Sequence, residues 1–120
     1  MYVIGGWDGF IRPIKSVEML ERHWTVLPDL NLARSSCSSC VTDESLLVAG
    51  GFDGKERMKS IERYNGLQWA IINVQLPLGL TGIGIVEMLQ NEVLVFGGKT
   101  SGTDYSPLSW ILNLESGQLR

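Results

Sequence analysis

Cys37 and Cys40 stand three residues apart in Ser35-Ser36-Cys37-Ser38-Ser39-Cys40-Val41. A C-x-x-C pair can hold zinc or run thiol–disulfide exchange. A structural zinc site needs a second ligand pair, and His23 is the only histidine. The segment also falls where a strand is expected, and residues three apart on a strand point to opposite faces. Both thiols are therefore read as small buried groups. Gly97-Gly98-Lys99-Thr100 ends like a phosphate loop, but Val93 stands where the earlier glycine is required and no helix follows. Gly79-Leu80-Thr81-Gly82-Ile83-Gly84 has the wrong spacing for a dinucleotide fingerprint and leads into a strand. No serine nucleophile accompanies His23, whose expected place is an exposed turn. Glu18 and Glu62 recur at matching positions, which points to structural rather than acid–base roles. No catalytic, metal or cofactor site is assigned, and the chain is not read as an enzyme.

The remaining chemistry is that of basic side chains in loops: Arg12, Lys15, Arg34, Lys55, Arg57, Lys59 and Lys99. Arginine captures carboxylates through two parallel hydrogen bonds. Whether these residues can act together depends on the elements that carry them. Three stretches organise the chain: Tyr2-Val3-Ile4-Gly5-Gly6, Leu47-Val48-Ala49-Gly50-Gly51 and Leu94-Val95-Phe96-Gly97-Gly98. The glycine pairs recur at spacings of 45 residues (5 to 50) and 47 (50 to 97). A period in this range marks a repeat architecture. Each apolar run is continuous, as in a strand buried on both faces, and the glycines end it where positive φ or close backbone approach is needed.

Ser16-Val17-Glu18-Met19-Leu20 and Ser60-Ile61-Glu62-Arg63-Tyr64 are corresponding strands, followed by Trp24 and Trp69 on the next. Asn65-Gly66 signals a hairpin. Each full unit thus holds four short antiparallel strands, the pattern of a propeller blade, and the fold class is all-β. The units divide at 1–32 (strands two to four of a blade), 33–77 (a complete blade) and 78–120 (a blade lacking most of its outer strand). About 2.5 blades do not close a ring, since propellers close with about 4–8. The expectation is therefore a piece of a larger propeller, or self-association through the unpaired blades. A net charge of −3 argues against nucleic acid as a partner. No window is apolar and long enough to span a bilayer, and no signal peptide is read, so no membrane partner and a cytoplasmic location are expected.

With the glycine pairs, the Ser-Val/Ile-Glu strands, Tyr64, Trp24, Trp69 and Arg34 sixteen residues before Gly50 in place, the chain resembles the kelch repeat family over nearly its whole length. The resemblance implies that tyrosine and tryptophan pack onto the di-glycine strand within a blade. The third unit departs from it, with Thr81 for Arg34 and Trp110-Ile111-Leu112-Asn113 for Ser-Ile-Glu-Arg-Tyr. Leu119 alone is placed to serve as its outer tryptophan. The first unit has Leu20 where the tyrosine belongs.

The resemblance implies a protein–protein interaction module, such as a substrate adaptor of a ubiquitin ligase or an actin or signalling scaffold. The alternative is a piece of a kelch-type sugar enzyme such as a sialic-acid mutarotase. An upstream BTB or F-box segment would favour the first, a signal peptide on a six-blade chain the second. In a four-strand meander the turns alternate between the two ends of the sheet. This gathers the seven basic residues at one end, with Asp8, Asp29, Asp53, Glu56 and Asp104. Asp8 and Asp53 are expected to serve their own turns. The other end gathers Glu21, Asp43, Glu44, Glu92 and Glu115, with only Arg22 basic. Partner binding, to an acidic peptide segment of a protein, is assigned to Arg12, Arg34, Arg57 and Lys59, rimmed by Trp7 and Phe52.

Overall fold

The computed structural model describes residues 1–43 and 45–120. Glu44, assigned above to the acidic end, lies outside the described residues. These residues form twelve strands and no helix. β1 (Tyr2–Ile4), β2 (Val17–Leu20) and β3 (Trp24–Leu27) make the first antiparallel sheet, in the order β1-β2-β3. β4 (Ser38–Val41), β5 (Leu46–Ala49), β6 (Ser60–Tyr64) and β7 (Trp69–Gln75) make the second, in chain order. β8 (Gly84–Leu89), β9 (Glu92–Phe96) and β12 (Ser109–Asn113) make the third. Leu119 pairs with Leu112, and Ile111 and Arg120 exchange backbone hydrogen bonds of 2.9 and 3.0 Å. The outer strand of the third sheet therefore begins at Leu119. The segment from Lys99 to Pro107 is more than a loop. It folds back as a ribbon of β10 (Lys99–Ser101) and β11 (Asp104–Tyr105).

The sheets stack face to face, and the continuous apolar run of β5 is buried on both sides. Leu46 and Val48 join Val17, Leu30 and Trp69 between the first two sheets. Leu47 and Ala49 join Ile61, Leu76, Leu80, Val93, Val95 and Leu112 between the second and third. Each large side chain so enclosed contributes about 1.5–3 kcal/mol. Among the described residues one core cluster joins the first sheet to the second and another joins the second to the third, so the array is open. Its innermost strands β4 and β8 lie side by side.

Tyr64 and Trp69 pack together with ring centroids 5.2 Å apart. Trp69 is 5 % exposed, and its Nε1–H donates to the Pro28 carbonyl of the first sheet at 3.0 Å. Trp24, its counterpart one unit earlier, is 50 % exposed because no sheet covers that side of β3. The glycine pairs end their strands in the left-handed region, with φ of 64° at Gly50 and 61° at Gly5. A Cβ on Gly50 would lie 2.5 Å from the Leu80 carbonyl oxygen, and one on Gly5 would collide with that of Arg34. The connector entering each following unit runs directly over the glycine pair of the unit before. Only glycine meets both demands there.

Candidate partner-binding site

The loops after β1 and β5 are built alike. The Asp8 carboxylate accepts hydrogen bonds from the backbone N–H groups of Phe10 (2.8 Å) and Arg12 (3.2 Å). That of Asp53 accepts from Lys55 (2.8 Å) and Glu56 (2.9 Å). Both acids serve their own turns, as expected. The Phe10 and Arg12 N–H groups hold the Asp8 carboxyl below the usual carboxylate range, and those of Glu56 and Lys55 do the same for Asp53. Each loop is clasped by a backbone bridge, Trp7 to Pro13 and Phe52 to Arg57. The loops touch each other: a Cβ on Gly54 would lie 3.5 Å from Pro13 Cδ.

Arg57 and Lys59 line a shallow groove of about 360 Å³ with Leu32, Asp53, Glu56, Met58, Ser60 and Gln75. Arg57 is half-buried and Lys59 exposed. The Arg57 Nε is buried and makes no hydrogen bond. Arg12 and Trp7 are exposed on the neighbouring loop, and Phe52 is half-buried at the root of its own. The structure thus brings Arg57, Lys59 and Phe52 to one loop and sets Trp7 and Arg12 on the next.

Arg34 is not part of that surface. It is fully buried, with its guanidinium 2.8 Å from the equally buried Glu62 carboxylate. It also donates to the Gly50 carbonyl (2.9 Å), the Ser60 carbonyl (3.0 Å) and Ser60 Oγ (3.0 Å). Glu62 in turn accepts from Asn31 N (2.7 Å), Asn31 Nδ2 (3.0 Å) and Leu32 N (3.2 Å). The assignment of Arg34 to partner binding is corrected: the side chain turns inward to tie its connector to β5 and β6, and its charge is neutralised inside. Without Arg34, the basic and acidic side chains of this end nearly balance.

The opposite end also differs from expectation. Arg22 is not its only cation: Arg120 pairs with Glu92 at 2.7 Å. Arg63 lines a polar pocket of about 220 Å³ with Asp43, Asn65, Glu87 and Asn91. Arg63 escaped the sequence reading because its counterpart in the first unit is Met19, so no repeat marked it. Cys40 is buried and Cys37 half-buried, and burial raises both thiols above their ordinary value. Among the described residues no three histidine, cysteine or acidic side chains gather as metal ligands would.

Stacked antiparallel sheets of three or four strands, with a connector laid over the glycine pairs of the first two units, define a propeller-type repeat array. The Kelch motif family matches residues 1–31 and 33–72, and the chain belongs to that family. Spermatocyte protein spe-26 of Caenorhabditis elegans is 33 % identical over 76 residues, which is 62 % of this chain and 13 % of that protein. The chain thus spans a small part of the length of that relative. Kelch repeats are of the protein-interaction type.

Proposed function

We propose that the chain recognises an acidic peptide segment of a protein partner, held in the groove beside Arg57 and Lys59. It does so as the recognition part of a larger cytoplasmic adaptor or scaffold, not as an enzyme. One observation carries this reading: Arg57, half-buried, and Lys59 line the same groove. A guanidinium at a groove wall offers charge-assisted hydrogen bonds to a carboxylate arriving from solvent. Phe52 and Trp7 offer apolar surface beside it, and Arg12 a second cation on the neighbouring loop. Fluorescence anisotropy with a labelled glutamate-rich peptide tests it. Arg57→Ala is expected to weaken binding by roughly tenfold or more, and added salt to weaken what remains. Equal binding by the Arg57→Ala chain, with loss on Glu21 and Asp43 substitution, would move the site to the other end.

Self-association is the second reading, favoured by the apolar side chains on the two uncovered sheet faces. Val3, Trp24 and Val26 are exposed on the first sheet, and Val86 and Phe96 on the third. Sedimentation velocity over a range of concentrations tests it, and a concentration-independent monomer would exclude it.

A further inference from the structure

A second cavity lies at the other end of the sheets from the Arg57 groove. It is the polar pocket of about 220 Å³ that Arg63 lines, in the seam between the second and third sheets. Asp43, Arg63 and Asn65 reach it from the second sheet and its turns, and Glu87, Asn91 and Leu114 from the third. Arg63 stands opposite Leu47 in the ladder, three residues before Gly50. Opposite the matching positions, Tyr2 and Leu94, stand Met19 and Ile111. The repeat thus fills this place twice with an apolar side chain and once with a guanidinium.

No internal partner accounts for that exchange. The buried Arg34 has Glu62. Arg63 is half-buried and makes no ion pair among the described residues, although Asp43 and the half-buried Glu87 line the same cavity. A partly desolvated charge without a partner costs stability, and departures from a fold's own pattern that stability does not explain are expected at functional sites. The groups around Arg63 are held in place. Asn65 Oδ1 accepts from the N–H groups of Leu67 (2.8 Å) and Gln68 (2.9 Å), which fixes the amide and leaves its Nδ2 donors for another group. Asn91 holds a φ of 62°, and its carbonyl accepts from Leu114 N–H at 2.7 Å, which ties the third-sheet side of the cavity together.

We infer that this pocket binds a free α-amino acid, with its carboxylate on Arg63 and its ammonium on Glu87. The charges select that class. A lone anion meets two carboxylates, Asp43 and Glu87, and a lone cation meets the guanidinium. A small zwitterion satisfies both signs at once, and it carries its two charges on adjacent carbons. The guanidinium offers the ligand carboxylate two parallel hydrogen bonds, and the Asn65 amide can add a third. The buried Leu114 gives the ligand side chain an apolar surface. Drug-sized ligands occupy about 300–1,000 Å³, so a cavity of about 220 Å³ suits a single amino acid rather than a peptide.

The probes are glycine, L-serine and L-glutamine, each titrated into the full chain to about 10 mM and followed by ¹H–¹⁵N shifts. At least one is expected to bind, with shift changes concentrated on Arg63, Asn65, Glu87 and Asn91. Arg63→Met and Glu87→Gln are each expected to weaken it by roughly tenfold or more. Methionine already stands at this place in the first unit, so Arg63→Met is expected to fold, which circular dichroism checks; if it does not, Glu87→Gln decides. The N-acetyl and amide forms of the amino acid that binds each keep one charge and are expected to weaken by a similar factor. Arg57→Ala leaves this binding unchanged, which separates it from recognition in the groove. Four results overturn the inference: no shifts with any of the three probes, shifts that fall on the Arg57 groove, undiminished binding by the Glu87→Gln chain, or undiminished binding of the acetyl or amide form, which would make the ligand a simple cation or anion.

Discussion

Replacing Glu62 with leucine tests the central tie of the second blade. The substitution removes the one carboxylate that, among the described residues, pairs with the buried Arg34 guanidinium, 2.8 Å away. It also strips acceptors from Asn31 N, Asn31 Nδ2 and Leu32 N. Arg34 keeps three neutral oxygens, those of Gly50 and Ser60. Removing one partner of a buried pair costs about 3–5 kcal/mol, because the remaining charge stays out of water. Whole domains are stable by about 5–15 kcal/mol, so the loss takes a third or more of the total. With a urea dependence of about 1–3 kcal/mol per molar, the midpoint falls on the order of 2 M. Tryptophan fluorescence follows the transition, since Trp69 sits against the same connector through Pro28. The double variant Arg34→Met, Glu62→Leu is expected to be more stable than Glu62→Leu alone, as the third blade does without the pair. Coupling between the two sites of about 1–3 kcal/mol is expected. A midpoint unmoved by Glu62→Leu, or costs that simply add in the double variant, would refute the reasoning.

Gly50 and Gly97 have nearly the same φ, 64° and 65°, but only Gly50 lies under another backbone. Gly97→Ala should therefore cost about 1–2 kcal/mol from the left-handed conformation alone, and Gly50→Ala more, because the Leu80 carbonyl must also move; denaturant midpoints of the two variants compare them. Trp69→Ala should cost about 3–5 kcal/mol and Trp24→Ala well under half of that, the first tryptophan being enclosed and the second half in solvent. Asp8 and Asp53 have carboxyl pKa values below the unfolded value of about 3.9. Their contribution to stability is thus complete above that pH and is lost as pH falls through the lower folded values. Asp53→Asn should flatten the acid limb of a stability–pH profile, and an unchanged limb would place the effect elsewhere.

Repetition made most of the fold legible. The glycine pairs, the Ser-x-Glu strands and Trp69 recur in register, and a strand buried on both faces announces itself as an unbroken apolar run. The site was less legible for a physical reason. Strand parity tells which end of a sheet a loop occupies, but not whether a long side chain there turns outward to water or inward to a carboxylate. Arg34 turns inward because Glu62, on a strand 28 residues away, waits for it. One signal was available: the third unit lacks the arginine and the glutamate together, as partners would be lost. The β10–β11 ribbon lies where loop lengths vary, so no period marked it.

The connectors laid over the first two glycine pairs set an order in time. Gly5 lies closest to the backbone of Arg34, and Gly50 closest to that of Leu80. A ribosome delivers the chain from its amino end, so each blade leaves the tunnel with its glycine corner bare and is capped only when the next connector emerges. Assembly is then directional, each unit acting as the latch of its predecessor. Chains stalled with residue 34 still in the tunnel would keep the first corner open to proteolysis. Chains stalled well past residue 80 would have both corners shut.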